Sequence, residues 1–469
     1  MEHLGIQATV LTPASGETYT DALKRLSDLS SLPAGYIIQP ETYADIPPVL
    51  AHAASQSPPL EIAVKCGGAH SSTWASTAGG IVIDLGKLKA VTLAEDKKSI
   101  TVQGGALWGD VYEVTAKEEV DVVGSPLWFV GVGGFTLGGG YGPLSGEYGL
   151  TIDNMLAATV VLADGRIVKT SREEEPDLFW AIRGGGGQFG IVVEFVFKVL
   201  PSVGPISAGF MAFPGSAVES LAKTLSVSCA LQEWQSTQSG AERLMVQFSR
   251  APPHFKPGVV VIPQVFHDTD GSRATTVLEP LMNGTRVAPV VAKVGPTPDM
   301  NTLSHAADAG MAKAPKRLVI RGAFLSRLDP TLFVETFKRW AEFTETEDVR
   351  ASGVIFDITS PAALVKVPKN DAALGVRTPH YWAAVQGRST TDESVPAARK
   401  FADELSEFMR ERNAELSGEK LPWMYSMCHG SERPEDVWGD HLERLRRLKA
   451  KYDPKKVFSK GVVIEPIFD

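Results

Sequence analysis

Val130–Gly142, VGVGGFTLGGGYG, decides the reading of this chain: Gly131, Gly133, Gly134, Gly138, Gly139, Gly140 and Gly142 fall within thirteen positions. Glycine at this density means backbone approaching something closely, or φ > 0 at several positions. Bare backbone N–H groups form a concave donor surface for anions, and a pyrophosphate is an obvious partner. The spacing is not the strand–turn–helix dinucleotide fingerprint, so a tight loop without a ligand competes as a reading of this stretch alone.

Two further glycine loops flank it. Lys65-Cys66-Gly67-Gly68-Ala69-His70-Ser71-Ser72 follows the strand-like Glu61–Lys65, and Arg183-Gly184-Gly185-Gly186-Gly187-Gln188-Phe189-Gly190-Ile191-Val192 leads into a β-branched strand. Read singly, the first is a βα turn with a surface histidine. Three such loops in one region predict convergence on one ligand.

The text around them alternates. An extended start at Gly35–Pro40, a helix over Asp45–Ala54, strands at Gly80–Asp84 and Ser99–Gln103 and a helix opening near Leu107 precede the glycine zone. Leu156–Leu162, the turn Ala163-Asp164-Gly165-Arg166 and Ile167–Thr170 predict a hairpin after it. Past Pro201 longer period-two strands appear, with Leu244, Val246 and Phe248, then Val354, Phe356 and Ile358. Amphipathic helices over Leu332–Glu345 and Val395–Arg412 predict an antiparallel sheet backed by helices.

Composition bounds the function. With 469 residues, 43% hydrophobic and 22% charged, the chain has the profile of an ordinary globular protein of two or three folding units. A net charge of −9 disfavours nucleic acid as a partner. The basic run Arg444, Arg446, Arg447, Lys449, Lys451 alternates with Leu442, Leu445, Leu448 and Tyr452, which predicts the solvated face of an amphipathic helix. Cys66, Cys229 and Cys428 are too few and too scattered for a disulfide framework or a metal cluster, so no metal is expected. No signal-like start and no membrane-length apolar run is read, which predicts a cytoplasmic protein, monomer or weak homodimer.

Four stretches together resemble the FAD-linked oxidases of the vanillyl-alcohol oxidase (PCMH-type) superfamily, and most closely the berberine-bridge-enzyme-like oxidoreductases of fungal type. They are KCGGAHSS at Lys65–Ser72, GGIVIDL at Gly79–Leu85, GVGGFTLGGGYGPLSGEYGLTIDN at Gly131–Asn154 and PDLFWAIRGGGGQFGIVVEF at Pro176–Phe195. ERLRRLKAKYDPKKVF at Glu443–Phe458 resembles the family's C-terminal segment. The resemblance implies an α+β, two-domain fold: a PCMH-type FAD-binding domain over residues 1–202, a substrate domain over 203–429 with an antiparallel sheet backed by helices, and a segment over 430–469 whose strand and helix return to the first.

It also implies a site. The FAD-contacting positions are Lys65, Cys66, Gly67, Gly68, Ala69, His70 and Ser71; Leu127, Val130, Gly131, Gly133, Gly134, Gly138, Gly139 and Gly140; Tyr148, Asp153 and Asn154; Gly190, Ile191 and Val192; and His441. His441 reads equally as a helix-start residue. In the family a histidine in the first loop commonly bonds the flavin 8α-methyl, and His70 matches it through a one-residue gap before Gly79. Where bicovalent relatives carry a cysteine this chain has Gly124-Ser125-Pro126-Leu127-Trp128-Phe129, so no cysteinyl link is expected, and Leu127, Trp128 and Phe129 are expected to dry the flavin site. The base is not fixed by the residues. Candidates are His380 and Tyr381, which open HYWAAV, and Tyr425 in WMYSMCH, where Met427-Cys428 replaces the family's usual Asn-Tyr pair.

The activity implied is oxidation of a small organic alcohol or amine, with electrons passing to O₂, in specialised metabolism. Two alternatives stand beside it: a flavin dehydrogenase that avoids O₂, and a non-redox cyclisation that uses the fold as a shaped pocket.

Overall fold

The computed structural model describes residues 4–228 and 240–468, so Cys229 lies outside the described residues. Helix Ile46–Ser55 places Ile46, Val49, Leu50 and Ala53 on one face by their i, i+3, i+4, i+7 spacing. That face is buried on Ile38, Ile62, Ile81 and Ile83. These belong to a four-stranded sheet ordered Thr9–Leu11, Tyr36–Gln39, Ile81–Asp84, Ile62–Lys65, whose last three strands run parallel. Strand Ile62–Lys65 therefore delivers the first glycine loop at its C-terminal end.

A second sheet, antiparallel throughout, is ordered Val91–Leu93, Ser99–Gln103, Ile191–Lys198, Met155–Val161, Ile167–Ser171. Its last two strands form the expected hairpin, closed by Gly165 at φ +85° and by the Leu162 N–H on the Arg166 carbonyl at 2.9 Å. Helix Trp108–Lys117 buries Trp108, Val111 and Tyr112 in one core with Phe195 and Phe197.

The chain's last helix, Leu442–Tyr452, adds Leu445, Leu448 and Tyr452 to that core. The expected returning strand is absent: among the described residues no strand follows this helix. Its backbone groups are satisfied by a side chain. Gln188 donates through Nε2 to the carbonyls of Lys460 (2.9 Å) and Val462 (2.8 Å) and accepts the Ile464 N–H on Oε1 at 3.2 Å. The basic run is likewise solvated only in part. Lys449 is fully buried and donates to Asp453 Oδ2 (2.8 Å) and to the carbonyls of Gln188 (2.6 Å) and Phe458 (2.8 Å).

Residues 206–389 build the third sheet, seven antiparallel strands ordered Val291–Thr297, Ile206–Pro214, Lys256–Val265, Glu242–Ala251, Gly353–Thr359, Tyr381–Ser389, Arg317–Leu325. Alternate residues such as Leu244, Val246, Phe248, Phe356 and Val385 face Leu221, Phe333, Trp340 and Phe401 of covering helices. Edge strand Arg317–Leu325 meets the first glycine loop through the Ile320 N–H, which donates to Ser71 Oγ at 3.0 Å, and on the face away from the helices a side chain at Gly322 would collide with Met427.

Candidate active site

The three glycine loops meet. A Cβ on Gly67 would lie 2.5 Å from the Gly131 nitrogen, so the first and second loops touch backbone to backbone, and only bare Cα atoms permit it. Cys66 donates its thiol to the Ala106 carbonyl at 3.3 Å, and burial pushes that thiol up to about 11, which leaves it protonated and inert. The short helix Val132–Leu137 lies against the 3-10 helix Gly186–Gln188 of the third loop. At their rims Gly134 and Gly187 are exposed, and a Cβ on either would meet nothing within 4 Å. Open backbone of this kind, with the Gly134 N–H as its donor, fits a diphosphate.

The centre of the convergence is not open. His70 stacks on Trp74 with ring centroids 4.2 Å apart and planes at 15°. Trp74 packs on Tyr425 (5.1 Å), and Tyr425 on Trp438 (5.5 Å). The row runs from the first loop to the third, where the Trp438 indole N–H donates to the Gly184 carbonyl at 3.0 Å. Gly186, at φ +71°, leaves room for the Tyr425 hydroxyl, which a side chain there would strike. Gly461 is bare for the same reason: a Cβ would stand 3.1 Å from that hydroxyl and 3.5 Å from the Trp74 ring. Burial lowers His70 to about 4, so the ring is neutral; its Nδ1 accepts the Ser72 N–H at 3.0 Å, and its buried Nε2 makes no hydrogen bond. The residues present thus fit the diphosphate of FAD but, in this arrangement, not its three-ring head.

The remaining expected positions divide. Lys65 pairs with Asp84 (3.0 Å), and Ser71 caps the third sheet. Gly68, Gly139 and Gly140 turn the chain at positive φ, with Ala69 beside His70. Gly133 and Gly138 are buried within the second loop, and the Val130 carbonyl accepts the Trp108 N–H at 3.0 Å. Asp153 is committed to Arg377 through two hydrogen bonds of 2.9 and 2.7 Å, and Asn154 donates to the carbonyls of Tyr148 and Leu150. Gly190 packs on Val160, while Ile191 and Val192 are buried strand residues paired with Val161 and Val160. His441 starts the last helix, its Nε2 3.2 Å from Asn370 Oδ1 and its ring edge-on to Trp180.

Two expectations are corrected. Tyr381 points into the helix-covered core with Phe401 and Leu405, on the sheet face away from the loops. Trp128 does not line the convergence: its indole donates to Asp308 Oδ1 at 2.8 Å and its ring stacks on His305.

His380 lies just before strand Tyr381–Ser389 with a partner the sequence reading missed. Its Nδ1 donates to the Thr378 carbonyl (2.7 Å), which leaves Nε2 to accept the Tyr141 hydroxyl at 2.9 Å. Burial lowers His380 to about 4 and raises Tyr141, so both are neutral. Tyr141, Tyr425, Phe324, Trp423, Met424 and Trp438 line a narrow cavity of about 10 Å³, room for about one water. A tyrosine inside the glycine run, at Gly140-Tyr141-Gly142, was the available signal.

Comparisons with known proteins agree with this architecture. The family model for the FAD binding domain matches residues 34–171, and that for berberine and berberine-like proteins matches residues 407–461. FAD-linked oxidoreductase pgmH of Aspergillus terreus is 28% identical across 98% of this chain and 94% of that protein. (R)-6-hydroxynicotine oxidase of Paenarthrobacter nicotinovorans is 36% identical over 37% of this chain and 38% of that protein. Among solved structures, the xylooligosaccharide oxidase from Myceliophthora thermophila C1, in complex with xylobiose, superposes with a TM-score of 0.82 at 23% identity over 100% of this chain and 98% of that one, a likeness of fold. With three glycine loops meeting under a helix-backed antiparallel sheet, the chain carries an FAD binding domain and a berberine-like C-terminal segment, and along nearly its whole length it is similar to FAD-linked oxidoreductases.

Proposed function

We propose that this chain is an FAD-dependent oxidase of a small organic alcohol or amine in specialised metabolism, with O₂ as electron acceptor. The observation that carries the reading is the meeting of the three loops, with Gly134 and Gly187 bare at the rim. The FAD domain over residues 34–171 supports it. So do the oxidases of a hydroxynicotine and of an oligosaccharide among the similar proteins. Residues 1–202 and 430–469 form the cofactor part, and residues 203–429 the substrate part. A histidyl tether through His70, without a cysteinyl link, belongs to the same reading.

FAD supplies the redox chemistry in such an enzyme, and the protein supplies orientation and proton handling. Tyr141 faces the cavity and His380 stands behind it. The cavity as it stands admits about one water, so a substrate reaches Tyr141 only if the lining gives way; a hydroxyl or amine hydrogen-bonded there would pass its proton to the Tyr141 oxygen as Tyr141 releases its own to His380 Nε2. Met424 and Phe324 line the cavity beside the pair. Tyr141→Phe is expected to lower kcat by about 10²-fold or more, with KM little changed, in steady-state kinetics; an unchanged kcat removes the pair from the reaction.

The filled centre favours a second reading, in which the fold serves a non-redox cyclisation at the Tyr141–His380 pair. Anaerobic mixing with substrate separates the two. Bleaching of a yellow flavin band is expected for the first, and product without bleaching belongs to the second. Acid precipitation that leaves the colour in the supernatant refutes the tether.

A further inference from the structure

We infer that Trp74 and Tyr425 occupy the seat of the flavin ring, so that the ring and this aromatic pair exclude each other. The inference rests on the assignment of the three glycine loops to FAD made above, and the first arm of its test examines that assignment by itself. The diphosphate floor is open at Gly134, and beside Gly187 there is space although its N–H is turned to Tyr425. The ring must then lie inward, between His70 and Gly186, and that span is filled by stacked side chains. Trp74 is held at both ends: its ring lies on His70, and its indole N–H donates to the His429 carbonyl at 3.2 Å. The Gly187 N–H and the Gln188 side chain face the Tyr425 hydroxyl, so polar backbone that would otherwise meet a bound ring is already satisfied from within the chain. The adjoining cavity, about 10 Å³, cannot take up a displaced indole. Either the pair moves as a unit with residues 425–430, or the ring stays out.

The test is binding, not turnover. ADP, which carries the diphosphate without the ring, is titrated calorimetrically into the full chain and into Trp74→Ala; equal affinity for both is expected. FAD is then titrated into the same proteins, and Trp74→Ala is expected to bind at least about tenfold more tightly than the parent, about 1.4 kcal/mol. Because removing an indole from a packed centre threatens folding, Trp74→Leu and Tyr425→Leu are carried alongside, with thermal unfolding to verify the folded state. A folded set of variants with no gain for FAD over the parent overturns the inference. Failure of ADP to bind any of them overturns the loop assignment itself. If the variants gain FAD and the loaded protein oxidises nothing, the proposed activity fails while the seat assignment stands.

Discussion

Lys449→Met is expected to destabilise the protein by about 3–5 kcal/mol, the cost of breaking a buried ion pair from one side. Both partners of the Lys449–Asp453 pair are fully buried at 2.8 Å. Methionine preserves much of the stem but leaves the Asp453 carboxylate with only the Val457 and Phe458 N–H groups, and it strips a donor from two buried carbonyls. Domains are stable by about 5–15 kcal/mol in total, so a loss of this size is a large part of the whole. Lys451, two residues on and half exposed, is the control: Lys451→Met is expected to change stability by less than about 1 kcal/mol. Urea unfolding measures both. Equal, small effects would mean that the pair merely breaks even with an apolar contact.

Acid is the second large lever. His70, His380 and His429 are each lowered to about 4, chiefly by burial. Their folded values lie below the unfolded value of about 6.5, so between these limits the unfolded chain binds more protons and stability falls as pH falls. The buried His380 alone contributes about 3 kcal/mol across that window at about 1.4 kcal/mol per unit. Asp121 opposes the trend, because burial raises it to about 7 and the folded state takes up its proton first. Three histidines outweigh one carboxyl, so the melting temperature is expected to drop steeply from pH 6.5 to pH 4. His380→Gln should flatten the slope. A profile level across that range, in scanning calorimetry, contradicts the buried neutral state of these rings.

Much of this was legible in the residues. Period-two runs such as Leu244, Val246 and Phe248 fixed the helix-backed sheet, and glycine density marked the loops that meet. What filled the meeting point was not legible, because a bare Cα such as Gly186 signals close approach and does not say whether a ligand or the Tyr425 hydroxyl approaches. Trp128 misled for a related reason: nearness in sequence to the second loop put it beside the site, whereas its indole found Asp308 at the start of the distant helix Asp308–Lys313. Lys449 was readable in principle. It stands seven residues after Leu442, on the helix's buried stripe, and charge alone disguised it as surface. Gln188 had no such signal, since its three partners lie more than 270 residues away.

That last separation bears on biogenesis. During vectorial synthesis the Gln188 amide must wait for Lys460, Val462 and Ile464 to leave the ribosome, and the buried ammonium of Lys449 arrives equally late. The nascent N-terminal half therefore keeps these polar groups in water and an apolar flank uncovered while the seven-stranded sheet is translated, the condition under which incomplete folds are prone to aggregate.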